Sequence, residues 1–153
     1  MTDPPPFVGM LVEGAILAVP LIVIAFLLSR FTRDIVGRSL LVIFLFVAAG
    51  AYFGFALLAA PGPMWLLAEL VQVIVFGTMA LLGLRGSQWW LVAGWALHPL
   101  WDVVLHYLGS GHSFAPITYT IPCLSFDLLV AAYIAIAYGL IGGHRLGFRD
   151  GAT

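Results

Sequence analysis

Phe7-Val8-Gly9-Met10-Leu11-Val12-Glu13-Gly14-Ala15-Ile16-Leu17-Ala18-Val19-Pro20-Leu21-Ile22-Val23-Ile24-Ala25-Phe26-Leu27-Leu28 is an apolar run broken by one acid and closed by Ser29-Arg30-Phe31-Thr32-Arg33-Asp34. It exceeds the ~18 residues that separate a membrane span from a buried core helix. Four similar runs follow. They cover residues 39–60, 64–84, 89–108 and 118–141, and the first covers 7–28. Pro61-Gly62-Pro63, Arg85-Gly86-Ser87-Gln88, Gly109-Ser110-Gly111-His112 and Gly142-Gly143-His144-Arg145 punctuate them. Connections this short favour antiparallel neighbours in a bundle. The expectation is an all-α, polytopic membrane protein in which residues 1–153 form one transmembrane domain of five spanning helices.

Composition points the same way. Of 153 residues, 63% are apolar and only 8% charged, against roughly a quarter charged in soluble domains. Mean hydropathy is +1.11. All six basic residues are arginines and the formal net charge is −1, so no nucleic-acid partner is expected. The single cysteine, Cys123, excludes an internal disulfide. Met1-Thr2-Asp3-Pro4-Pro5-Pro6 has no positive n-region, so the first span is expected to stay uncleaved.

The arginines set the orientation. Arg30, Arg33 and Arg38 follow the first span, Arg85 the third, and Arg145 and Arg149 the fifth. With five alternating spans, all six fall on one side, which the positive-inside rule makes cytoplasmic. The N-terminus is then outside and the C-terminus cytoplasmic, with the bacterial inner membrane as the expected location.

Four acids interrupt the apolar runs: Glu13, Glu69, Asp102 and Asp127. No arginine lies within a span to pair with them, and a carboxylate near a helix centre costs roughly 2.5–3.5 kcal/mol on insertion scales. At ~1.5 Å per residue, the first three lie about 8–9 Å from the outer ends of their helices and Asp127 about 13 Å. Tyr52 reaches a similar level, so each span is expected to contribute one polar group to a shared layer. Gln72 lies one turn after Glu69 and extends it. In the fourth run, His98, Asp102 and His106 repeat at i, i+4, i+8 and stack on one helix face. Pro99 removes a backbone hydrogen bond beside them.

His98 and His106 are about 12 Å apart along the helix axis, too far for one zinc ion with ~2.1 Å bonds. One i, i+4 pair can chelate, with Glu69 or Asp127 completing the shell and the third residue orienting a ligand or passing a proton. The expected metal ligands are Asp102, His106 and Glu69, and the expected metal a divalent ion such as zinc or iron. Glu69, His98, Asp102 and Asp127 are the candidate catalytic residues; Glu13, Tyr52, Gln72 and Trp101 are the candidate supporting ones. For Glu13, helix–helix hydrogen bonding is an equal reading. His112 and His144 read as surface residues, with His112 a gate candidate. Trp65, Trp89, Trp90 and Tyr107 read as an interfacial aromatic belt. Gly50 and Gly54 form a small-xxx-small pair suited to close helix packing.

Trp95-x-x-His98-x-x-Trp101-Asp102-x-x-x-His106, followed by Phe126-Asp127, resembles a group of uncharacterised small bacterial integral membrane proteins. The resemblance covers the C-terminal half and implies no activity. The spacings His98-x-x-x-Asp102 and Asp102-x-x-x-His106 are more loosely similar to the H-x-x-x-D and H-x-x-x-H motifs of membrane hydrolases that hold zinc among seven helices. Here both patterns share one helix and two helices are missing.

Two functions follow from acids and imidazoles within the spans. The first is a membrane-embedded enzyme with its site in the outer half of the bilayer. It would act on a membrane lipid, isoprenoid-like or other hydrophobic small molecule by hydrolysis, isomerisation or cyclisation. The second is a proton-coupled transporter or ion-conducting protein. The inner halves offer only Thr78, Tyr133 and Tyr138 as polar stations, so a through-path is expected only if the chain forms a homo-oligomer around a shared pore. A haem or pigment site ranks last, because both span histidines lie on one helix.

Overall fold

The computed structural model describes residues 7–140, and every regular element in them is helical. Helix α1 runs Phe7–Phe31, α2 Asp34–Ala59, α3 Pro63–Arg85, α4 Trp89–Asp102 and α5 Ile117–Ile134. Helix α4 continues directly into a π-helical segment, Val103–Leu108, followed by a 3₁₀ turn, Ser110–Ser113. A second π-helical turn, Ala135–Leu140, ends α5. Helices α1, α2 and α3 and the run Ile117–Gly139 are long and apolar enough to cross a membrane. Helix α4 has only 14 residues, and the π segment carries it on to Leu108.

Two boundaries differ from expectation. Helix α1 persists through Phe31 and α2 starts at Asp34, because Ser29-Arg30 and Asp34-Ile35-Val36-Gly37-Arg38 contain no proline and the one glycine, Gly37, is accommodated within α2. Their charges mark an end of the bundle and leave the backbone helical. Asp34 also sits in the first turn of α2, where the helix dipole favours an acid. A true break comes at Ala60, which is left-handed at φ 48°, and at Gly62 at φ 128°. Pro61 and Pro63, which lack an N–H, enforce it.

The helices form a ring in chain order, each packed on the next, with α5 closing back against α1. Arg30, Arg33, Arg38 and Arg85 gather at one end of it. There an Arg38 nitrogen donates to the Gly83 carbonyl at 3.5 Å, and Ser29 and Tyr138 share a hydroxyl–hydroxyl bond. Arg145 and Arg149 lie outside the described residues, as does His144. The arginine half of the interior is apolar: Leu41, Leu45, Phe76, Leu91, Trp95, Val130 and Ile134 form its centre.

Outward faces are also apolar, with Ile16, Val23, Ile43, Ile74 and Val104 exposed. Glu69, Gln72, His98, Asp102, His106, Thr120 and Asp127 are buried. A water-soluble fold has the opposite arrangement. Gly50 and Gly54 face open space, with nothing within 4 Å of an added Cβ, so the expected close packing on this pair is absent within the described chain.

Candidate intramembrane polar site

The buried polar layer lies between the apolar core and an aromatic lid at the opposite end, where Tyr52, Ala56, Phe114 and Ala115 pack together. Helix α4 supplies His98 and Asp102 one turn apart, and α5 brings Asp127 up to them. The His98 Nδ1 lies 2.7 Å from Asp127 Oδ2 and 3.5 Å from Asp102 Oδ2. One ligand atom from each of the three residues lies within 4.8 Å of the others, and all three residues are buried. Four ligands around an ion at ~2.1 Å sit about 3.4 Å apart in a tetrahedron. The Asp102 spacing matches that figure. The shorter Asp127 contact is a hydrogen bond sharing one proton, which a metal ion would displace by opening it about 0.7 Å.

His106 does not join this group. Its Nε2 lies 3.4 Å from Glu69 Oε1 on α3, making a second imidazole–carboxylate pair. His106 lies in the π-helical segment Val103–Leu108 that follows Asp102, and its imidazole pairs with α3 rather than with its own helix. Asp102, His106 and Glu69, expected as one ligand set, are therefore divided between two pairs.

Tyr52 separates the pairs. Its ring stacks on His106 with centroids 4.3 Å apart and planes 10° from parallel, and lies 6.0 Å from the His98 ring. Its hydroxyl donates to Thr120 Oγ1 at 3.4 Å. Gln72 Nε2 donates to Glu69 Oε2 at 3.2 Å and to the Ala49 carbonyl at 2.9 Å, holding the acid from behind. Trp101 stands apart, half-buried; its ring faces Phe76 edge-on at 6.5 Å, and Phe76 packs edge-on against His98 at 5.1 Å.

Glu13 departs from expectation. It is exposed on α1, whereas Glu69, Asp102 and Asp127 are at most 1% exposed. Nothing in the sequence marks the faces of α1, which is apolar all round. Glu13 instead lines a cleft of about 270 Å³ whose lining also includes Asp127. His112 is exposed and bonds the Gly109 carbonyl at 2.6 Å.

Sequence reasoning missed the surroundings of His106. Trp65 lies 6.0 Å from the imidazole and 5.1 Å from Phe114, which itself meets His106 at 5.5 Å. Trp65, read as part of an interfacial belt, instead helps enclose the imidazole. Gly111 makes room for it, since a Cβ there would meet His106 Nδ1 at 2.4 Å. Thr120 was also missed; its only signal is a position two turns before Asp127.

Polar demand is unmet across this layer. Glu69 Oε1, His98 Nε2, both Asp102 oxygens, Asp127 Oδ1 and both His106 nitrogens are buried without a hydrogen-bond partner among the described residues. Buried groups of this kind ordinarily have one. The donor set of one imidazole and two carboxylates suits a divalent first-row metal with positions left open for water or substrate.

A model of a family of unknown function, DUF6010, matches residues 13–143. The chain belongs to that family. Every buried polar residue of the layer falls within the stretch that matches DUF6010. No curated protein and no solved structure matches the chain.

Proposed function

We propose that this protein is an integral membrane enzyme of five spans, N-terminus outside, with a metal-assisted acid–base site in the outer half of the bilayer. The carrying observation is the His98–Asp102–Asp127 cluster, three buried donors from two helices within 4.8 Å. A divalent ion such as zinc or iron, held by these three residues, would polarise a substrate oxygen or lower the pKa of a bound water. His106 and Glu69, across the Tyr52 ring, form the acid–base pair that takes up or delivers a proton. The substrate is a membrane lipid, an isoprenoid-like molecule or another hydrophobic compound. The apolar outward faces support the membrane placement, and the arginines gathered at one end support the orientation; a bacterial inner membrane is the location we propose.

The carrier reading has less support. Leu41, Leu45, Leu91, Trp95 and Ile134 fill the arginine half of the ring, and a proton or cation path would have to cross them.

The test is metal content and flux on one preparation. Purified protein, loaded and desalted, is expected to hold about one equivalent of zinc or iron. Asp127→Asn and His98→Ala are expected to lose it while remaining folded by circular dichroism. Metal-free wild type after loading, with vesicles that conduct protons and lose that conduction in Glu69→Gln, would sink the enzyme reading in favour of the carrier.

A further inference from the structure

The cleft between α1 and α2 has a polar residue at each end. Its mouth carries the exposed Glu13, Leu17, Phe44 and Val47, and its back wall is the α5 stretch Pro122, Cys123 and Asp127, all buried. Gly14, Ala48 and Phe126 complete the apolar lining, and Thr118 and Tyr119 on α5 add two hydroxyls to it. Asp127 belongs at once to this cleft and to the cluster with His98, and its Oδ1 has no partner among the described residues. The cleft therefore opens on the outer face of the bundle and shares Asp127 with the candidate metal centre.

Glu13 adds the charge argument. A carboxylate on an outward apolar helix face is costly in hydrocarbon unless something donates to it. Among the described residues it has no ion-pair partner, and the described arginines, Arg30, Arg33, Arg38 and Arg85, gather at the far end of the ring. The cleft thus offers two carboxyl groups and the Thr118 and Tyr119 hydroxyls along a largely apolar slot, with no basic side chain in its lining, a combination that accepts hydrogen bonds and opposes anions.

We infer that the α1–α2 cleft is the lateral binding slot for the substrate: a single long-chain amphiphile with a hydrogen-bond-donating, non-anionic polar end. Its chain lies against Leu17, Phe44 and Val47, and its polar end sits between Glu13 and Asp127. This rests on the membrane-embedded reading above and adds the direction of approach, which is sideways from the lipid.

The test uses two photoreactive probes in nanodiscs of neutral phospholipid: a long-chain primary alcohol with a diazirine near its hydroxyl, and the matching carboxylic acid. After irradiation, adducts are mapped by peptide mass spectrometry. The alcohol is expected to label Pro122, Cys123 or Phe126 at least roughly ten-fold more than the acid, a ratio equivalent to ~1.4 kcal/mol. Glu13→Gln should narrow that ratio. Leu17→Trp or Val47→Trp, at exposed positions of the mouth, should remove the α5 adducts while leaving those on the outward residues Val19 and Val23. Adducts confined to outward residues, equal labelling by both probes, or α5 labelling untouched by either tryptophan would overturn the slot. Metal content, read separately, tells the two ideas apart: metal without α5 adducts removes the slot alone, and α5 adducts without metal remove the metal centre alone.

Discussion

The two halves of the ring solve packing in opposite ways. Toward the arginine end, helices meet through fitted apolar surfaces. Gly77 sits under the Phe46 ring, Gly83 against Leu91 and Gly94 against Leu45, each so close that a Cβ would be within 2.8 Å of its neighbour. Toward the other end the same helices meet through imidazoles, carboxylates and one amide, several of whose atoms have no partner among the described residues. The first half is held by dispersion and close approach. The second carries a desolvation cost that bonds within the chain only partly offset. The proposed metal centre belongs to the second kind of interior, and the contrast can be broken from either side.

The largest effects are expected from removing one central group in each half. Trp95→Ala empties a fully buried site and should cost about 3–5 kcal/mol, read as a lower thermal midpoint in detergent. Metal content of the fraction that remains folded should not change. Asp127→Ala removes the short contact of His98, leaving it Asp102 at 3.5 Å, and should cost up to a comparable ~3–5 kcal/mol, as when one partner of a buried pair is lost, but here metal is lost as well. If both variants lose metal equally, the two halves are not separable.

Gly14→Ala comes next. Its Cβ would meet the Pro122 carbonyl oxygen at 2.0 Å, beside the Ser125 hydroxyl, which donates to the Leu11 carbonyl at 2.6 Å. Prying α1 from α5 here should cost about 1–3 kcal/mol, measured by thermal unfolding. Gly111→Ala is sharper as a probe of the site. It pushes on His106, so the pH profile of any turnover should change while metal content stays at the wild-type level. An unchanged profile would remove His106 from the acid–base role.

The smallest effect is expected at Gly50 and Gly54. With open space above both, Gly50→Ala and Gly54→Ala should stabilise the single chain by up to about 1 kcal/mol each through helix propensity. A fall in stability, with loss of a dimer band on cross-linking, would show instead that this face packs on a second copy.

Much of the architecture could be read from residue order. Apolar runs of spanning length, each stopped by proline, glycine or arginine, determined five helices, and the alternating positions of Arg30, Arg33, Arg38 and Arg85 placed those charges together at one end. Glu69, Asp102, His98, His106 and Asp127 were visible as costly residues inside those runs. Which of them meet was not visible. Glu13 and Glu69 look alike in sequence, yet one faces outward and the other is sealed in the ring, because a helix apolar on every side carries no periodicity to mark its inner face. The i, i+4, i+8 repeat put His106 in line with Asp102 on α-helical geometry. In the folded ring His106, in the π segment, pairs with Glu69 on α3, and His98 is the partner of both aspartates. Sequence determined the chemistry available at each depth through transfer cost. The tertiary structure alone decided its grouping, since side chains several helices apart are brought within bonding distance only by how the ring closes.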